Sequence, residues 1–233
     1  MPCLLTIETA TAVCSAALSV DHKPVFDRID ATGVSHAAML GVFVADAVSY
    51  ARKNGWTIEA VAVSAGPGSY TGLRIGTSEA KGLCYGWGIP LIAIPSLKIL
   101  ALQAASSKPY PSPTLFCPMI DARRLEVYAA LYDTDLNEIR AVQADIIDEN
   151  SYREYLEKQP VVFAGNGSDK CRAVIQSPQA IFLENIYPTA QAMIPLAHEA
   201  FARNEFVDTA YFEPYYLKEF QATVGRNKVL FSL

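Results

Sequence analysis

Apolar residues run in short unbroken stretches near the start of the chain and later recur every three or four positions. That change of period separates strands from helices. Residues 4–7 and 13–20 read as strands joined by a tight turn, 25–29 as a third strand, and 36–52 as a helix. A β-rich run at 60–65 ends in Gly66-Pro67-Gly68-Ser69, after which the helical period returns over 71–87. A strand at 91–94 and a helix over 96–105, with Ser96 as its N-cap, complete the first half. A meander followed by alternating helix and strand is an α/β arrangement. Prolines alternate through 104–113, which disfavours helix and central strand alike and marks a linker. Two subdomains are therefore expected, 1–107 and 108–233.

The second half repeats the first. Residues 7–18 align with 120–131, placing Glu8 over Asp121 and Ala16-Ala17-Leu18 over Ala129-Ala130-Leu131. Further on, Ala65-Gly66-Pro67-Gly68-Ser69 returns as Ala164-Gly165-Asn166-Gly167-Ser168, each after an apolar strand and before an expected helix. Two matches in the same order point to duplication. Each unit offers an acid at a strand end and a glycine turn opening a helix, where exposed amides attract anions and the missing Cβ lets backbone approach phosphate. Two such units face to face make a nucleotide cleft, with Glu8, Thr9, Thr11, Gly66 and Gly68 on one wall and Asp121, Gly165 and Gly167 on the other. The pattern resembles the duplicated actin-like, sugar-kinase and Hsp70 ATPase (ribonuclease H-like) fold.

Composition narrows the function. The 233 residues are 51% hydrophobic, enough for a large core, and carry 24 acidic against 19 basic side chains, net charge -5, which disfavours a surface that grips nucleic acid unaided. Five cysteines, with no close pair, fit neither a disulfide framework nor a zinc knuckle and suit a reduced, cytoplasmic setting. No apolar tract approaches the roughly 20 residues of a membrane span, and the opening residues read as a strand rather than a signal peptide. Of the three histidines, His36 has Leu40 four residues on and His198 opens no HExxH motif, so no metal ligand is assigned. A nucleophile elbow and a Walker lysine are also missing, and Ala122, Arg123 and Arg124 stand where an ATPase needs phosphate-cradling glycines. No catalytic residue is assigned.

The string Gly66-Pro67-Gly68-Ser69-Tyr70-Thr71-Gly72-Leu73-Arg74-Ile75-Gly76 closely resembles the signature of the TsaB (YeaZ) family. Weaker similarities lie in the opening Leu5-Thr6-Ile7-Glu8-Thr9-Ala10-Thr11, His36, Asp121-Ala122-Arg123, Gly165-Asn166-Gly167, and Pro214 through Lys218. Glu8 and Lys218 depart from the Asp and Arg usual there. The resemblance implies a bacterial, non-catalytic subunit of the machinery that installs threonylcarbamoyl on a tRNA adenosine. It pairs with its paralogue, the TsaD transferase, and is joined by TsaE, a P-loop ATPase; tRNA is met only through the complex. ATP or ADP would then belong at or near the partner interface, with no cofactor of the lone chain. An independent actin-like ATPase or phosphotransferase is the competing reading, with a metalloprotease-like protein ranked behind it.

An interface needs a face. Between His36 and Arg52 only Asp46 and Arg52 are charged, and the apolar residues cover about half of the helix circumference, wider than the roughly 100° stripe one sheet requires. Leu40, Val44 and Val48 lie on one side of that arc and Met39, Phe43 and Tyr50 on the other, and the sequence leaves open which side meets the sheet. On the next helix Gly72, Gly76 and Ala80 form a flat strip framed by Leu73 and Leu83, which would admit either a partner or the helix's own sheet. The expected partner face is therefore His36, Met39, Leu40, Phe43, Ala47 and Tyr50, with Tyr70, Gly72, Leu73, Arg74, Gly76, Ala80 and Leu83. The same apolar face would form a homodimer when the partner is absent. Arg74, a cation at a helix start, seeks either an acid or anion, or solvent.

Overall fold

The structure, a computed structural model, describes residues 1–33 and 36–217. Strands β1 (Cys3–Glu8), β2 (Cys14–Val20) and β3 (Lys23–Asp30) form the meander, followed by α1 (His36–Lys53), β4 (Ile58–Ser64), α2 (Tyr70–Trp87), β5 (Leu91–Ile94) and α3 (Ser96–Ser106). The second half holds β6 (Leu115–Asp121), β7 (Glu126–Tyr132), β8 (Glu138–Ile146), the single turn α4 (Arg153–Leu156), β9 (Val161–Ala164), β10 (Ala180–Phe182) and α5 (Ala190–Ala202). None of the described helices is long and apolar enough to cross a membrane.

The duplication is written in the topology. One sheet has the order β3-β2-β1-β4-β5 and the other, read from its far edge, β8-β7-β6-β9-β10. In both, three antiparallel strands are extended by two strands parallel to the first. Such parallel additions need crossover connections, and in the first half α1 and α2 supply them. In the second half both crossovers shrink, to α4 and to a 3-10 turn at Asp169–Cys171. The helix expected after Gly165-Asn166-Gly167-Ser168 is reduced to that turn, because Pro178 follows within three turns and the intervening apolar residues are too few for a stable stripe.

Alternation along β1 sends side chains to opposite faces. Leu5 and Ile7, with Ala16 and Leu18 of β2, meet Leu40, Phe43 and Val44 of α1 and Ala80 of α2. Leu4 points the other way, with Ala60, Ala62 and Ile92, into Met193, Leu196 and Ala197 of α5. Helix α5 was not expected from the sequence, since Pro195 lies inside it; it starts at Thr189, whose hydroxyl accepts from the Ala192 N–H. Meanwhile α3 lays Leu97, Leu100, Ala101 and Ala104 on Phe116, Ile120 and Val162 of the second sheet. The halves thus exchange helices, and the boundary expected at 107/108 divides the sheets but cuts through both cores. Ser96 is also corrected: Pro95 occupies the cap position, and the Ser96 hydroxyl instead accepts from the Gly66 N–H at 3.2 Å.

After α5 the chain returns to the first sheet as a strap over residues 207–217. Val207 bridges to Leu91, and the Tyr215 N–H donates to the Ala65 carbonyl at 2.7 Å. The tail from 218 on, including Lys218, lies outside the described residues. All five cysteines are free and buried, and burial pushes the Cys3, Cys14, Cys84 and Cys171 thiols up to about 11, where they stay protonated and unreactive.

Candidate functional site

A cavity of about 590 Å³ opens between the two repeats. The loop after β1 and the start of α2 form one wall, while the β6 end, the following hairpin and Asn166 form the other. Tyr215, Tyr216 and Leu217 of the strap also line it. The duplicated architecture therefore places a cleft where the two repeats face each other.

The expected nucleotide residues do not present themselves to it as a phosphate site. A Cβ on Gly68 would lie 2.3 Å from the Ala10 carbonyl oxygen, on Gly165 2.3 Å from that of Met119, and on Gly66 2.7 Å from that of Tyr215. A Cβ on Gly167 would lie 2.9 Å from the Ile120 carbonyl carbon, against the Ile120–Asp121 backbone. Close backbone approach is what these glycines provide, but the approaching backbone is the chain's own. Of the eight candidates, Thr11, Gly68 and Asp121 line the cleft. The other five stand behind its walls.

The two acids have separate fates. Glu8 is fully buried, its Oε1 accepting from the Ala10 N–H at 2.6 Å while Oε2 has no partner. Burial pushes its carboxyl up to about 7, against the pull of the Ala10 and Thr9 amides and the Ser64 hydroxyl. Thr9 is buried beside it with its hydroxyl unpaired, and the Thr11 hydroxyl accepts from Val13 within its own turn. Asp121 reaches the cleft but is paired with Lys170, and its Oδ1 also accepts from the Arg123 N–H at 3.0 Å. Arg123 and Arg124 both adopt left-handed backbone (φ 73° and 52°) in the hairpin where glycines would sit, and Arg123 lines the cleft. Sequence reasoning missed Tyr128, Asn166 and the strap residues as lining residues. Nothing in the local pattern of residues 207–217 marks them as part of a cleft. His36 lines the cavity too, with a buried and unpartnered Nε2, while Leu40 is in the core. No three His, Cys, Asp or Glu among the described residues gather as a metal site.

The expected partner face divides in the same way. On α1 the buried side chains come from both sides of the arc: Leu40 and Val44 from one and Phe43 from the other, with Ala47 between them, are buried against the sheet. Gly72, Leu73, Gly76 and Ala80 are likewise internal, because a Cβ on Gly72 would meet the Thr9 carbonyl oxygen at 2.2 Å and one on Gly76 the Thr9 hydroxyl at 2.3 Å. The flat strip packs on the helix's own sheet. Met39 and Leu83 are half-buried against the same core, and Tyr50 is turned aside to stack with Phe26 and Trp56. The Arg74 guanidinium lies over the Tyr70 ring at 4.9 Å, and Tyr70 in turn meets Tyr216 of the strap at 4.8 Å. Outward lies a row of mostly small residues, Gly41, Val42, Ala45 and Ser49 on α1 and Ser78 and Gly82 on α2, flanked by the exposed Asp46, Tyr50, Arg74 and Tyr85.

Fold and site together define a class: a duplicated ribonuclease H-like scaffold of the actin type with a cleft between its two repeats. A family model described as "TsaD: tRNA N6-adenosine threonylcarbamoyltransferase" matches residues 31–225. The chain is 30% identical over 224 residues to the tRNA threonylcarbamoyladenosine biosynthesis protein TsaB of Escherichia coli, covering 92% of this chain and 94% of that one. It is also 34% identical over 122 residues to the protein of the same name from Bacillus subtilis, half of each chain. The solved structure of YeaZ from Pseudomonas aeruginosa superposes with a TM-score of 0.79 at 26% identity, covering 93% of this chain and 100% of that one. The chain belongs to the TsaB (YeaZ) family.

Proposed function

We propose that this chain serves tRNA threonylcarbamoyladenosine biosynthesis as a non-catalytic subunit that pairs with a TsaD-like transferase through the outer faces of α1 and α2. The observation that carries this reading is the internal use of the glycines: every Gly turn that would cradle a phosphate is packed against the chain's own carbonyls and strand ends. Glu8 is sealed away from the cleft and Asp121 is neutralised by Lys170, so neither acid is placed to hold a metal–nucleotide. The small residues on the outer helix faces would let a partner helix approach closely, as Gly41 and Gly82 have nothing within 4 Å of a Cβ position. Nucleotide used by the pair belongs at the junction with the partner, where a TsaE-like ATPase would join, and tRNA is met through the partner. Without the transferase the same face brings two copies together.

The test mixes the purified chain with a TsaD-like transferase and follows complex formation and threonylcarbamoyladenosine in tRNA. Calorimetry with magnesium-ATP is run on the chain alone. Complex formation, transfer only when both chains are present, and no heat of nucleotide binding to the lone chain are expected. Gly82→Arg, placed on an open surface, is expected to block pairing without unfolding the monomer. Nucleotide turnover by the lone chain would return the assignment to an independent ATPase.

A further inference from the structure

We infer that the partner face extends beyond α1 and α2 onto the C-terminal strap, where Tyr211 joins Tyr85 at the end of α2 as an aromatic anchor for the same transferase-like partner. This rests on the pairing proposed above.

The strap runs back along α2. Tyr216 lies on Tyr70 at the start of the helix, and three turns later the Lys81 ammonium donates to the Ala210 and Phe212 carbonyls at 3.0 and 3.1 Å. On its other flank α2 packs Ile75 and Leu83 into the core shared with α1. Helix α2 is therefore the middle rib of a three-part surface. Tyr85, one turn beyond Lys81, is 87% exposed, and Tyr211 is 85% exposed between the two carbonyls that Lys81 holds.

Both rings are displayed on fixed backbone. The Asp208 carboxylate accepts from the Ala210 and Tyr211 N–H groups at 2.8 and 3.0 Å, and the neighbouring Phe212 turns inward against the core. A tyrosine on a pre-ordered backbone loses little entropy on binding, and Tyr is enriched among the residues that dominate interface energies.

Area argues the same way. Each helix has 18 residues, hence about 27 Å of length. Side by side at about 10 Å spacing they offer roughly 500 Å², short of the about 800 Å² per partner of a stable interface. Small residues also give close approach without anchoring. The strap supplies the missing area, Tyr211 on it and Tyr85 on α2 supply the missing anchor, and the strap is held at Lys81, next to Gly82 of the open face.

The test measures affinity of the full chain for the transferase in wild type, Tyr85→Ser, Tyr211→Ser, the double variant and Gly82→Arg, with melting of each lone chain as control. Each tyrosine variant is expected to weaken the complex about tenfold or more with melting unchanged. If Gly82→Arg blocks the complex while both tyrosine variants bind within about twofold of wild type, the strap is not part of the interface and the helix pairing stands. Tyrosine variants that alter only self-association overturn the inference as well. A wild-type chain that does not bind the transferase overturns the pairing itself.

Discussion

Gly76 and Gly82 lie six residues apart on α2 and are glycines for opposite reasons. A Cβ at 76 would stand 2.3 Å from the buried Thr9 hydroxyl, whereas one at 82 meets nothing within 4 Å. Gly76→Ala should destabilise by about 1–3 kcal/mol through overpacking, and Gly82→Ala should stabilise by about 0.5–1 kcal/mol through helix propensity; urea midpoints read both. The sequence shows glycines at four-residue spacing, but the identity of the approaching surface depends on Thr9, far along the chain, which no local pattern reveals. Glu8 carries a second prediction. Its folded carboxyl titrates near 7 against an ordinary 4.5, so between those values the folded state keeps a proton that the unfolded state has released. The contribution of Glu8 to stability is therefore fully present below about pH 4.5 and is lost as pH rises through about 7. Glu8→Gln keeps the acceptor for Ala10, and its stability relative to wild type should rise by on the order of 2–3 kcal/mol between pH 5 and pH 8.

Helix α5 was illegible because its strongest signal, Pro195, argues against it, while the features that hold it are polar and distant in sequence. The Thr6 hydroxyl donates to the Ala190 carbonyl at 2.8 Å, and Ser15 accepts from the Ala190 N–H, also at 2.8 Å. Further along, Ser19 and the buried His198 Nε2 are hydrogen-bonded at 2.8 Å, with His22 stacked on that imidazole at 4.3 Å. Burial and the neighbouring His22 hold His198 below its ordinary value, with Asp21 pulling weakly the other way. The unfolded state therefore takes up the proton first on acidification. This contribution to stability is present above about 6.5, the ordinary imidazole value, and is lost as pH falls, opposite in sign to Glu8. His198→Gln should melt with a smaller drop between pH 7.5 and pH 5 than wild type; an equal drop would remove His198 from the acid response. By contrast the meander, α1, α2 and β5 were readable because each carries its own period and punctuation. The inner side of α1 was not, since its apolar arc is wider than one sheet needs.

At the scale of the whole molecule, the repeat was legible in the strand ends and glycine turns, while the exchange of helices was not. Period tells that a helix has an apolar face, and never which of two similar sheets will cover it. That exchange makes the halves interdependent. Residues 1–107 alone would leave Leu4, Ala60, Ala62 and Ile92 uncovered where Met193, Leu196 and Ala197 of α5 now pack, and would leave the inner face of α3 without Phe116 and Val162. At about 0.8 kcal/mol per exposed methylene, two uncovered faces outweigh the 5–15 kcal/mol that typically stabilises a domain. A 1–107 fragment should therefore show no cooperative urea transition, and neither should 108–233, whose α5 would have lost its sheet. Mixing the two should restore one transition and a single complex of the full chain's size on gel filtration. A cooperative transition in the isolated 1–107 fragment would mean that α5 is dispensable to the first sheet and that the cleft lies between independent bodies. Its absence would mean that the cleft walls are tied to one another through both cores.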